Sequence, residues 1–202
     1  MEQDKMIKAI LFDLDGVLVD ACTWHYHSLN DALKHFKGFE ISYSDHLDNY
    51  NGLPTSVKLD ILKIPEQERY NIWKMKQDRT LYNINKYGVI DRYKKRMLAT
   101  LKEKYKLVCV TNSIRETAIQ MLKVTGQLSF FDFIITNEDV INNKPHPDCY
   151  LLAMKKLNLS KQQCLIIEDS PKGRQAAYAS GARVMEVIDV YDVTLHNVRR
   201  EL

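Results

Sequence analysis

Five short apolar runs constrain this chain more than anything else in it: residues 7–12 (IKAILF), 106–111 (KLVCVT), 131–136 (FDFIIT), 164–168 (CLIIE) and 183–187 (RVMEV). They are continuous rather than alternating, the pattern of strands covered on both faces. Helical patterns separate the last four. Ile114, Ala118, Met121 and Leu122 fall on one stripe, and Leu151, Leu152 and Met154 on another, with Leu159 beyond. Residues 172–181 are alanine-rich and end at Gly181, a residue suited to close a helix. Strands alternating with helices predict an α/β fold: a Rossmann-like parallel sheet with right-handed crossovers.

The first run breaks this rhythm. Residues 21–88 carry no clear strand pattern. Tyr26, Leu29, Ala32, Leu33 and Phe36 mark one amphipathic helix; Val57, Leu59, Ile61 and Leu62 mark a second. A charged helical pattern runs from residue 66 to 84, and another resumes over 91–105. Pro54 and Pro65 punctuate the segment, and Gly88 is its expected exit hinge. The expected organisation is an α/β core of residues 1–20 and 89–202, interrupted by a helical domain of residues 21–88.

Composition narrows the function classes. The 202 residues are 45% hydrophobic and 27% charged, which excludes a disordered tail, a collagen-like repeat and a disulfide scaffold. A net charge of +3, evenly spread, argues against nucleic acid or a membrane as partner. The opening MEQDKMIK has no apolar stretch behind basic residues, and no run approaches a membrane span. Cys22, Cys109, Cys149 and Cys164 lie far apart, so reduced thiols and a cytoplasmic setting are expected.

Acidic residues collect at the carboxyl ends of the expected strands. The first runs into Asp13-Leu14-Asp15-Gly16 and the fourth into Glu168-Asp169-Ser170. In an open α/β sheet the ligand crevice lies at those ends. Carboxylates converging there repel one another and call for a cation; hard oxygen ligands select Mg²⁺. The second strand runs into Thr111-Asn112-Ser113, which offers hydroxyls and backbone N–H groups to an anion. The third is followed by Asn143-Lys144-Pro145, where the neighbouring prolines hold a cation in position.

These motifs in this order, DxDG, a threonine, KPxPD and EDS, resemble those of the haloacid dehalogenase-like hydrolase superfamily, and the resemblance spans nearly the whole chain. The helical insertion looks like that family's C1-type cap, in the β-phosphoglucomutase and phosphoglycolate-phosphatase-like branch. The resemblance implies that Asp13 is the nucleophile and takes the phosphoryl group as an aspartyl phosphate. It makes Asp15 the general acid and then base, sets Thr111 on the phosphoryl oxygens and gives Lys144 the offsetting charge. It assigns Mg²⁺ to Asp13, the backbone carbonyl of Asp15, Asp169 and Glu168. Asn112, Ser113, His25 and Asn51 are the implied substrate-binding residues.

The presence of Asp15 favours phosphate esters over carbon–halogen substrates. His25 matches a histidine of the mutase branch, and also reads as a residue packed against Trp24. Where that branch carries a lysine and an arginine in its substrate loop, Asn51 and Thr55 stand here. The expectation is therefore a Mg²⁺-dependent phosphatase of a small phosphorylated metabolite, acting as a cytoplasmic monomer. A phosphosugar mutase is the alternative, and a non-catalytic binding protein a third reading.

Overall fold

The computed structural model describes residues 6–202, and by chain proximity these fall into two compact units. One comprises the chain up to Asp20 together with Val89–Leu202; the other is Ala21–Gly88.

The first unit is built on five strands: β1 (Ala9–Phe12), β2 (Lys106–Val110), β3 (Phe133–Ile135), β4 (Cys164–Glu168) and β5 (Arg183–Glu186). All pairings are parallel and the order is β3-β2-β1-β4-β5. The expected runs thus become strands, 164–168 with unchanged bounds and the other four trimmed by a residue or two at their ends. The central β1 is wholly buried, with Ala9 opposite Lys106 on one side and Cys164 on the other.

In the second unit, α1 (Cys22–Lys37), α2 (Thr55–Ile61) and α3 (Glu66–Tyr87) enclose a small core of Leu29, Ala32, Leu33, Ile41, Tyr50, Leu59, Ile64 and Ile72. Helix α1 ends where Gly38 adopts φ 72° and returns its N–H to Lys34 O. Asn30 pins the following loop by exchanging two hydrogen bonds with the Ile41 backbone, at 3.0 and 2.9 Å. A short turn, Tyr43–Asp45, runs into a π-helical turn, His46–Tyr50.

The first unit continues with α4 (Arg92–Lys102), α5 (Arg115–Val124), α6 (Asp148–Leu157), α7 (Pro171–Ser180) and α8 (Leu195–Arg200). Asp91 caps α4 by accepting from Lys94 N. Ser170 caps α7, with Pro171 in its first turn, and Gly181 closes α7 at φ 77° as expected. Side chains of α6 and α7, including Tyr150, Ala153, Ala176 and Ala177, pack on Leu11, Val108, Val110, Ile135 and Ile166 of the sheet.

Three local expectations are corrected. On α2 the buried positions are Thr55, Lys58 and Leu59, while Val57 and Ile61 are exposed. On α6 the buried face is Cys149, Tyr150, Ala153 and Met154, and Leu151 is exposed, so the apolar stripe is turned from the one expected. Gly88 has φ −66° and ψ 130°, extended backbone open to any residue, so its position draws on none of glycine's special freedom. All four cysteines are free thiols, with Cys109, Cys149 and Cys164 buried. No described helix is long and apolar enough to cross a membrane.

Candidate active site

The ends of β1 and β4 bring the first and last acidic motifs together. Asp13 N donates to Ile167 O at 3.1 Å, which extends the strand pairing one residue and sets Asp13 beside Glu168. Oxygens of Asp13, Glu168 and Asp169 lie within 4.8 Å of one another. The chain then turns sharply, with Gly16 N donating to Val19 O at 2.8 Å. Gly16 has φ +87°, and a Cβ there would stand 2.0 Å from Asp169 Oδ2. Only glycine meets both demands.

Lys144 closes the cluster. Its Nζ donates to Asp13 Oδ1 at 2.6 Å, Glu168 Oε1 at 2.7 Å and Val110 O at 2.8 Å. Asn112 clamps the Lys144 backbone: its Oδ1 accepts from Lys144 N at 3.2 Å and its Nδ2 donates to Lys144 O at 3.3 Å. Burial works against the Lys144 ammonium, but the Asp13 and Glu168 carboxylates more than offset it and hold the charge above the ordinary lysine range. Burial also pushes Asp13 up. Lys144 pulls it back, and the carboxylates of Glu168, Asp169 and Asp15 push it further up. Burial, followed by Glu168, raises Asp169 to about 7.

Three carboxylates thus face one ammonium, an excess of negative charge that suits a divalent cation. Glu168 Oε2 and Asp169 Oδ1 are buried without a hydrogen-bond partner, so the donor set has room for one. All the ligand atoms are carboxylate oxygens, which suits Mg²⁺.

The other expected residues of this unit gather at the same strand ends. The Asp15 carboxylate accepts from Ser113 Oγ at 3.0 Å. Thr111 is buried at the end of β2, its N donating to Ile135 O and its Oγ1 accepting from Ser113 N at 3.0 Å.

His25 and Asn51 belong to the helical unit. His25 Nδ1 lies 3.2 Å from Lys76 Nζ. Asn51 is exposed and follows the π turn, its N–H bonded to His46 O at 2.8 Å. His46 is fully buried with neither ring nitrogen hydrogen-bonded. Burial first, then the charges of Lys58, His25 and Lys76, lower its pKa to about 3.

Sequence reasoning missed several of these residues. No periodicity sets Lys58 and Lys76 apart from solvated helix positions, yet both are buried. Tyr150, which apolar spacing does not single out, donates its hydroxyl to Glu168 Oε1 at 2.5 Å. The available signal was its place, two residues after the KPxPD motif on the first turn of α6.

A parallel α/β sheet whose strand ends gather a buried lysine and three carboxylates defines a phosphoryl-transfer type of hydrolytic site. The chain belongs to the haloacid dehalogenase-like hydrolase family, whose model matches residues 10–187. Among curated relatives, the pyrophosphatase PpaX of Oceanobacillus iheyensis is 30% identical over 172 residues, covering 81% of this chain and 75% of its own. The phosphoglycolate phosphatase of Nitrosospira multiformis is 24% identical, over 93% and 88% of the two chains. In fold, the β-phosphoglucomutase of Clostridium difficile superposes with a TM-score of 0.84 at 24% identity, covering 97% of each chain.

Proposed function

We propose that this enzyme is a phosphatase that hydrolyses a phosphate monoester of a small metabolite through an aspartyl phosphate on Asp13. The observation that carries the reading is Lys144, buried and bonded at once to Asp13 and Glu168 beside the unpartnered oxygen of Asp169. Phosphoryl transfer asks a protein chiefly for position and charge neutralisation, and this cluster supplies both.

In the first step an Asp13 carboxylate oxygen forms a bond to phosphorus as the ester oxygen leaves. Asp15, oriented by the Ser113 hydroxyl, gives that oxygen its proton. In the second step water attacks the aspartyl phosphate, Asp15 takes its proton, and inorganic phosphate leaves with Asp13 restored. Thr111 Oγ1 hydrogen-bonds the phosphoryl oxygens, and the charge of the Lys144 ammonium offsets theirs. Asp13, Asp169, Glu168 and the Asp15 carbonyl would hold Mg²⁺, which when bound neutralises phosphoryl charge.

The helical unit, residues 21–88, is read as a cap that selects the substrate, with His25 and Asn51 among its contacts. The curated relatives named above as phosphatases support release of phosphate over isomerisation, as do Asn51 and Thr55 at the positions where the mutase branch carries its basic pair. A cytoplasmic monomer, with neither nucleic acid nor a membrane as partner, completes the reading.

The test is a phosphate-release screen across metabolite phosphates, with and without Mg²⁺. Mg²⁺-dependent release from one or a few esters is expected. Isomerisation primed by a bisphosphate, or no release from any ester, would overturn the reading.

A further inference from the structure

Tyr150 sits in the apolar face of α6, fully buried among Val110, Ile135 and Ala153, yet its hydroxyl reaches the charged cluster. Glu168 Oε1 accepts two hydrogen bonds, from Lys144 Nζ at 2.7 Å and from Tyr150 Oη at 2.5 Å. The Lys144 ammonium has three protons, and Asp13, Val110 and Glu168 supply three acceptors. Its Nζ also lies 4.9 Å from the centre of the Tyr150 ring. The whole Glu168 carboxylate lies against Gly173, where a Cβ would stand 2.0 Å from Oε2 and 2.2 Å from Oε1. The carboxylate is thus gripped at one oxygen, while the other has no hydrogen-bond partner.

We propose that Tyr150 is a positioning residue for the phosphoryl-transfer chemistry: its hydroxyl fixes Glu168, and Glu168 in turn holds the Lys144 ammonium on the nucleophilic Asp13. The hydroxyl takes up part of the Glu168 charge. Without it, that charge bears on Lys144 alone and draws the ammonium toward Glu168, away from Asp13. The ring of Tyr150 performs a separable task, filling the core and facing the cation. This inference rests on the reading of Asp13 as the nucleophile.

Tyr150→Phe in the full-length enzyme separates the two tasks, because it keeps the ring and removes only the hydroxyl. The expected result is a fall in kcat of about tenfold with KM within about twofold and an unchanged melting temperature. Tyr150→Leu, which also removes the ring, should lose more kcat and some stability. The Lys144 side-chain ammonium provides an independent readout. Its three fixed hydrogen bonds should give a slowly exchanging ¹⁵N–¹H NMR signal in the wild type and a faster one in Tyr150→Phe. Unchanged kcat or unchanged Lys144 exchange in that variant overturns the proposal. So does a parallel loss of kcat, affinity and melting temperature, which is what a purely structural residue would give. Asp13→Asn, run beside it, keeps the two failures apart. An active Asp13→Asn enzyme sinks the nucleophile reading, whereas an inactive one beside an unimpaired Tyr150→Phe sinks only the role of Tyr150.

Discussion

Lys144 Nζ lies 2.6 Å from Asp13 Oδ1, although 131 residues separate the two in the chain. Neither side chain is more than a tenth exposed, so the contact is weakly screened by solvent. A second carboxylate, Glu168, shares the same ammonium. A buried cation set between two buried anions is costly to remove, because both carboxylates are then left uncompensated. That cost keeps the reacting carboxylate in one place.

Asp13→Asn should remove turnover while leaving the fold intact. The amide keeps the shape of the carboxylate but not its nucleophilic oxygen, so a loss of at least about a thousandfold in kcat is expected, ~4 kcal/mol at the transition state. Lys144 keeps Glu168 as a carboxylate partner and burial already disfavours the charged form of Asp13, so the neutral amide should cost little stability. Steady-state kinetics and thermal melts on the same preparation check both halves. Wild-type kcat in the variant would rule out Asp13 as the nucleophile.

Gly16→Ala should weaken Mg²⁺ binding. The new methyl meets Asp169 Oδ2 at 2.0 Å, and the backbone at φ +87° disfavours any side chain. Displacing Asp169 opens the acidic cluster, and a loss of about tenfold in affinity is expected, ~1.4 kcal/mol. Calorimetric titration of Mg²⁺ into the two proteins measures it directly, and chelation should stop turnover in the wild type. Equal affinities would place the cation elsewhere.

Acid should destabilise the protein partly through His46. Its folded pKa, about 3, lies below the ordinary value of 6.5, so between these values the unfolded chain binds more protons than the folded one. Stability therefore falls as pH drops through that window, and the contribution is fully present only above about 6.5. At pH 4.5 the deficit reaches roughly 2–3 kcal/mol. His46→Phe removes the titrating group, so denaturant melts at pH 7 and 4.5 should show a smaller acid penalty in the variant. Equal penalties would mean that His46 is protonated in the fold without cost.

Asn51→Ala and Trp24→Ala should change kcat/KM for the natural substrate far more than for p-nitrophenyl phosphate. Both residues belong to the helical unit, and Asn51 is exposed beside the π turn. The small aryl ester needs only the chemistry of Asp13, Asp15, Lys144 and Asp169. Paired assays on each variant decide the matter. Matched losses on both substrates would assign these side chains to folding rather than selection.

The sheet and the acidic cluster were legible because each strand announces itself twice, as an apolar run and by the polar residues that end it. Phe12-Asp13 and Ile167-Glu168 mark such ends, and parallel pairing then brings them together. Tyr150 was not legible in the same way. A helical stripe is read from apolar spacing, and Leu151 and Leu152 outweigh one tyrosine in such a reading. The structure instead buries the face carrying Tyr150, because its hydroxyl finds Glu168. The buried lysines escaped for a related reason. Lys76 lies on a helix whose pattern is charged throughout and Lys58 between the apolar Val57 and Leu59, and no periodicity distinguishes a lysine held inside from one in water.

The central position of Ala9–Phe12 has a consequence for synthesis. Of the five strands it leaves the ribosome first, yet its neighbours begin only at Lys106 and Cys164. At typical rates of translation the wait for β2 is roughly 5–20 seconds. Through that interval an apolar tetrapeptide has no sheet to join, while the helices of residues 21–88, whose contacts are local, can already form. The nascent chain must therefore keep its own keystone from straying, and variants that lengthen the delay should tax chaperones before they affect the finished enzyme.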